Sequence, residues 1–172
     1  MRYEYAAGPA GKSPAEWPAE SRLRLDSTRH TLVLVAHPQC PCTRASLGEL
    51  AILSAQFPDR FSTYVLFLHP DGKNLEWVQS GLWDEARRIP GVIAVDDVQG
   101  REAARFGATT SGQTFLFDAE GHLVFRGGIT AARGHSGDNA GRSAIASYLT
   151  DGTADRNTTF VFGCLLFSKK TT

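Results

Sequence analysis

The chain has 172 residues, 42% of them hydrophobic, and its eighteen lysines and arginines balance eighteen acidic residues. That length and apolar content suit one folded domain with a real core, and the zero net charge removes the electrostatic footprint of a nucleic-acid or anionic-lipid binder. Three cysteines are too few for a disulfide framework or a closed all-thiolate zinc site, and no segment reaches the roughly 18 to 20 apolar residues of a membrane span.

Residues 1–21 lack the apolar core of a signal peptide and read as a Gly/Pro/Ala-rich linker. Two origins fit them: a start just after a removed segment, or the frayed end of a cytosolic protein. The domain proper is expected over 22–150. Its first element, TLVLVA at 31–36, is a short apolar run of branched residues, the pattern of a strand buried on both faces. Residues 41–57 place Leu47, Leu50, Ala51 and Phe57 at helical spacing, and FSTYVLFL at 61–68 is a second strand. Residues 74–89 read as one helix through Leu75, Val78, Leu82 and Ala86, with Gly81 weakening its middle. GVIAV at 91–95 is a third strand, and Asp96 and Asp97 after it point to opposite faces and start the turn into a short helix over 101–107. TFLFDAEGHLVFRG at 114–127 reads as a hairpin turning at Gly121, and a last helix covers 139–149 with Asp138 or Asn139 as its cap. A polar tether and an apolar tail, FVFGCLLF, fill 151–172 together with the last residues. This order predicts an α/β fold: a mixed central sheet with helices on both faces and an antiparallel hairpin at one edge.

The chemistry concentrates in AHPQCPCTRASLGELA. A helix beginning there puts Cys40 at its N-cap and Pro41 at its first position, where a missing N–H costs nothing. The N–H groups of Cys42 and Thr43 are then free donors, and the helix dipole together with the Thr43 hydroxyl would lower the Cys40 pKa. His37 and Arg44 are nearby sources of positive charge. Cys40 is the expected nucleophile.

The same stretch resembles the thioredoxin superfamily, in its TlpA and peroxiredoxin-related branch. With TSGQTFLFDAEGHLVFRGGIT and RGHSGDNAGR it is similar to RedB-type thioredoxin-like proteins over about 120 to 140 residues. The resemblance implies a thioredoxin-like fold and thiol-disulfide oxidoreductase activity toward protein thiols or disulfides, without a cofactor. It further implies a periplasmic or otherwise extracytoplasmic location, with an N-terminal membrane anchor outside these residues. Two departures stand out: Thr43 occupies the place of the resolving cysteine, and Gly112-Gln113 replaces the proline that precedes the last core strand. In this frame Gly112 and Gln113 form the wall opposite Cys40, and Gln113 or its backbone holds an extended substrate.

Residues two apart on a helix diverge by roughly 200°, so a Cys40–Cys42 bond would be strained and oxidising. Three arrangements are open, in this order: that strained pair with Cys42 resolving, a monothiol site at Cys40, or a bond from either cysteine to Cys164. Cys164 reads first as a plain buried cysteine, with the alternative that the tail folds back and brings a third sulfur to the site. A copper carrier is the other function class, with Cys40 and Cys42 joined by His37 or His135 as ligands; a redox-inactive binding module is the third. His69 reads as a loop residue, and His37 as a partly buried residue bonded to backbone.

Overall fold

The computed structural model describes residues 5–167. Its elements are β1 (His30–Ala36), α1 (Pro41–Gln56), β2 (Phe61–His69), α2 (Leu75–Val78), α3 (Gly81–Arg88), β3 (Val92–Val98), α4 (Arg101–Arg105), β4 (Thr114–Phe117), β5 (Leu123–Gly127) and α5 (Ala140–Asp151). The strands form one sheet in the order β3-β2-β1-β4-β5. β1, β2 and β3 run parallel, while β4 and β5 add the antiparallel edge. The mixed sheet expected from the element order is present.

Alternation along the central strands builds two cores. Leu32, Leu34 and Ala36 of β1 join Val65 and Phe67 of β2 under Leu47, Leu50 and Leu53 of α1, with α3 and α5 beside them. Val33 and Val35 face the other way, onto Phe115, Phe117, Ala103 of α4 and Phe106 just after it. Among the described residues that second face has one short helix, and segments near both chain ends cover the rest of it. Trp17 meets Phe106 and Phe117 edge-on, each at 5.1 Å between ring centroids, and Leu166 is buried in the same cluster. Backbone bonds hold the N-terminal stretch in place, from Trp17 N–H to Gly121 O (2.7 Å) and from Leu123 N–H to Ala15 O (2.8 Å).

Two boundaries differ from the sequence pattern. Residues 74–89 form two helices, because Ser80 takes an extended conformation (φ −74°, ψ −179°) between them. Its hydroxyl donates to Pro38 O at 2.9 Å, tying the break to the loop before α1. Gly81 consequently opens α3 instead of weakening a helix centre. β3 runs on to Val98 because β2 is long enough to pair with it as far as His69. Asp96 and Asp97 do diverge there. Asp96 meets His69 Nδ1 at 2.8 Å, and buried Asp97 accepts from the N–H groups of Glu102 and Ala103, capping α4.

One buried carboxylate fixes α1 against the far end of the chain. Glu49 is fully buried, accepts from Gly137 N–H (2.6 Å) and Asn139 Nδ2 (3.2 Å), and pairs with Arg142 at 2.9 Å. Asn139 also caps α5 by accepting from Arg142 N–H. Removing one partner of such a pair strands the other charge in the interior. Arg142→Met is therefore expected to destabilise the fold by about 3 kcal/mol, read from the shift in a urea unfolding curve.

Candidate active site

β1 ends at Ala36 and the chain enters α1 within a few residues. Cys40 is the N-cap, extended at φ −104° and ψ 124°, with Pro41 as the first helical residue and no acidic residue in the first turn. The positive end of the helix dipole thus meets the Cys40 sulfur without a competing carboxylate. The Cys40 side chain does not close a capping hydrogen bond. Its side-chain partners come from elsewhere, while the Cys42 and Thr43 N–H groups of the first turn lie close enough to favour its anion.

The nearest is Cys164, with 2.8 Å between the two sulfurs. Ser111 Oγ donates to Cys40 Sγ at 3.7 Å and accepts from Cys164 N–H at 2.9 Å. The Sγ atoms of Cys40, Cys42 and Cys164 all lie within 4.8 Å of one another. Cys40 is 3% exposed, enclosed on one side by Ser111 and the tail. From the helix side a cleft of about 210 Å³, lined by Gln39, Pro41, Arg44, Ser80 and Leu82 among others, reaches it.

Ionisation separates the three thiols. Burial pushes Cys40 up, yet bonds from the Cys164 thiol, the Ser111 hydroxyl and the Cys42 and Thr43 N–H groups outweigh it, and its pKa falls below the free-thiol value. Burial raises Cys42, and the Cys40 charge and hydrogen bond raise it further. Cys164 is pushed up to about 12 by burial, by its hydrogen bond to Cys40, and by the charges of Cys40 and Cys42. Of the three thiols, Cys40 is the one whose surroundings favour the anion.

Several expected supports are placed differently. The Thr43 hydroxyl donates to His37 O and accepts from His37 N–H, so it staples the turn and leaves only its backbone N–H for the sulfur. His37 Nδ1 accepts from Gln39 N–H, its ring lies edge-on to Trp77 at 5.6 Å, and burial lowers its pKa, which keeps it neutral. Arg44 points outward to Glu85 at 3.3 Å. The cation acting on the sulfurs is Arg133, which lowers both Cys42 and Cys164 and bonds to Gly163 O and Ala6 O. His135, two residues further, is exposed and pairs with Ala132 across a short bridge. His69 has both ring nitrogens engaged, by Asp96 and by Lys73 O. No histidine joins the sulfur cluster among the described residues.

The wall opposite Cys40 is also shifted by one to two residues. Gln113 turns inward: its carbonyl accepts from Val35 N–H at 2.9 Å and its side chain accepts from Thr109 N–H. Gly112, at φ +84°, donates to Val35 O and lies over Ser46, 3.0 Å from where a Cβ would stand. Ser111 is the residue that touches the sulfurs. The sequence singled out the neighbouring Gly112-Gln113 pair, and a lone serine there carries no signal of its own.

No protein-family model matches the sequence, and no curated protein matches it. Solved structures do match its fold. An uncharacterised conserved protein of Geobacillus kaustophilus superposes with a TM-score of 0.64 at 15% identity, covering 95% of this chain and 94% of that one. A hypothetical protein of Sinorhizobium meliloti gives 0.64 at 17% identity, covering 94% and 93%. The thioredoxin domain of a thiol-disulfide oxidoreductase of Bacteroides vulgatus gives 0.54 at 14% identity, covering 84% and 99%. The fold is thioredoxin-like.

Ser111→Ala removes a donor to the Cys40 anion, so the anion loses stability and its pKa rises. The expected result is a midpoint higher by about 0.5 to 1 unit for alkylation of Cys40, and slower labelling at neutral pH. Iodoacetamide rates against pH, with Cys40 quantified by mass spectrometry, check it.

Proposed function

We propose that this protein is a thiol-disulfide oxidoreductase in which Cys40 is the nucleophile and Cys164 the sulfur that closes on it. The 2.8 Å contact between those sulfurs carries the reading. Shortening it to a bond of about 2.05 Å asks for less than 1 Å of movement. A Cys40–Cys42 bond would instead require the first turn of α1 to open around Pro41. Cys42 is the second choice of partner here, whereas the sequence alone places the Cys40–Cys42 pair first and a bond to Cys164 third.

In the reaction, the Cys40 thiolate attacks a disulfide of a protein substrate and forms a mixed disulfide, and one substrate sulfur leaves as thiolate. Cys164 then gives its proton to solvent and attacks Cys40 Sγ, releasing the second substrate sulfur. The substrate gains two electrons and the chain ends as the Cys40–Cys164 disulfide. The reverse sequence would oxidise a substrate dithiol. The likeness of the C-P-C segment to RedB-type proteins supports this reading and an extracytoplasmic setting, where protein disulfides persist. No helix among the described residues is long and apolar enough to cross a membrane.

Cys40→Ser should abolish reduction of a protein disulfide such as that of insulin, whereas Cys42→Ser should retain most of it. Mild oxidation should yield a species two mass units lighter, mapped to Cys40 and Cys164. The two residues are 124 apart, and chain entropy makes such a closure worth about 4 to 5 kcal/mol to the folded state. A Cys40–Cys42 bond closes almost no loop. Oxidised protein that unfolds at the same denaturant concentration as reduced protein would count against Cys164.

The three-sulfur cluster itself favours one second reading, a carrier for Cu(I). A soft ion of that kind suits thiolate ligands, and Cys40, Cys42 and Cys164 would supply them in place of the histidines expected from the sequence. Titration with Cu(I) against a competing chelator should then show one site that is lost in Cys164→Ser and kept in His37→Ala and His135→Ala.

A further inference from the structure

Cys164 is held from both sides of its own peptide. Its N–H donates to Ser111 Oγ at 2.9 Å, and the carbonyl of that peptide, Gly163 O, accepts from the Arg133 guanidinium. Ser111 N–H donates to Cys164 O at 2.8 Å, so the sulfur of the tail, residues 158–167, is fixed within reach of Cys40. Arg133 comes from the loop between β5 and α5, where Ala132 and His135 bridge around Arg133 and Gly134. That turn is seated on the site. Ala132 is buried, Gly134 N–H bonds the Cys42 sulfur, and Gly137 N–H donates to the buried Glu49 carboxylate. Arg133 Nε also donates to Ala6 O at 3.2 Å. The guanidinium is thus placed by its own turn, by the tail and by the N-terminal segment.

Resting on the oxidoreductase reading above, we propose that Arg133 is a positioning residue for the resolving step: seated on the peptide that carries Cys164, its charge steadies the Cys164 thiolate once Cys40 is bound in a mixed disulfide. The titratable and charged groups acting on Cys164 are Cys40 and Cys42 from the start of α1 and Arg133 from the loop. In the reduced protein the Cys164 thiol donates to the Cys40 anion. Losing its proton would cost that bond and set two negative sulfurs 2.8 Å apart. Burial, that bond and that charge push Cys164 up to about 12. When Cys40 attacks a disulfide, its charge leaves with the departing substrate thiolate and its sulfur becomes neutral. Two of the causes that hold the Cys164 proton then vanish, while Arg133, which lowers Cys164, stays in place. Cys164 loses its proton to solvent and attacks Cys40 Sγ, and the remaining substrate sulfur departs as thiolate. The first step arms the second, and Cys164 stays a poor nucleophile until there is a mixed disulfide to resolve.

The test uses one equivalent of the aromatic disulfide of thionitrobenzoate and follows release of the coloured anion. Attack by the Cys40 thiolate frees one thionitrobenzoate and leaves Cys40 in a mixed disulfide with the other. Attack by the Cys164 thiolate then frees the second, in a phase independent of reagent concentration, and leaves the Cys40–Cys164 bond for mapping by mass spectrometry. Arg133→Gln keeps an amide donor for Gly163 O without the charge, and Arg133→Lys keeps the charge. Without a nearby cation the thiol pKa rises, and less thiolate is present at neutral pH. In Arg133→Gln the second release should slow about tenfold relative to the first, with its pH midpoint about 1 unit higher; in Arg133→Lys it should stay within about threefold of the parent. A further measurement needs no Arg133 variant. Cys164 in Cys40→Ser should react with iodoacetamide about tenfold or more faster than Cys164 in intact protein whose Cys40 is still unlabelled. Equal slowing in the Gln and Lys variants with an unmoved midpoint reduces Arg133 to holding the tail and overturns the proposal. Unchanged second release in both variants, or equal alkylation of Cys164 with and without Cys40, overturns it as well, and the oxidoreductase reading survives. A second release that persists in Cys164→Ser and is lost in Cys42→Ser overturns it together with the choice of Cys164. No first release overturns the oxidoreductase reading and this proposal with it.

Discussion

The site depends on a single contest: a sulfur anion is buried, and enough hydrogen bonds must converge on it to outweigh the lost hydration. At Cys40 the convergence comes from three separate parts of the chain. The first turn of α1 offers the N–H groups of Cys42 and Thr43, the loop before β4 offers Ser111, and the tail offers the Cys164 thiol. Remove the tertiary partners and only the helix end is left, which is the ordinary situation of a cysteine at an N-cap. The neighbouring thiols are raised by the same charge that their bonds help to hold, so one ionisation assigns all three roles.

The sheet exists to bring those parts to one end. β1 and β4 are neighbours in antiparallel register, which places the exit of β1 beside the entry of β4. Cys40 lies just past the first and Ser111 just before the second. Gly112 bridges the junction by donating to Val35 O, the last but one residue of β1. The Glu49–Arg142 pair then secures α1 from behind, so the sulfur sits on a helix that cannot shift without stranding a buried charge.

The tail adds a second function to the fold's weak side. Its start pairs along β5, an edge that would otherwise offer unpaired backbone to other chains. Its end delivers a buried leucine to the core beneath β4 and a sulfur to Cys40. The same ten residues thus close an edge, complete a core and supply the third thiol. In the proposed reaction the second sulfur comes from a tail laid across the site, not from the next turn of helix as in a C-x-x-C pair.

Much was legible in the sequence because it rests on local physics. Strand runs of branched residues gave the five strands, Pro41 after Cys40 marked the helix start, and Asn139 marked another. The break at Ser80 was hidden, since it is made by a hydroxyl bonding to Pro38, forty-two residues away. Thr43 was assigned to the sulfur although the turn's own backbone groups at His37 were closer. Ser111, Arg133 and the approach of Cys164 were beyond any spacing rule, because each acts across a long sequence separation on an atom in another element. The sequence by itself determined which sulfur stands at the end of a helix, since capping is decided by adjacent residues. Only the tertiary structure decided which sulfur it meets, because that contact is set by backbone pairing between segments that share no local pattern.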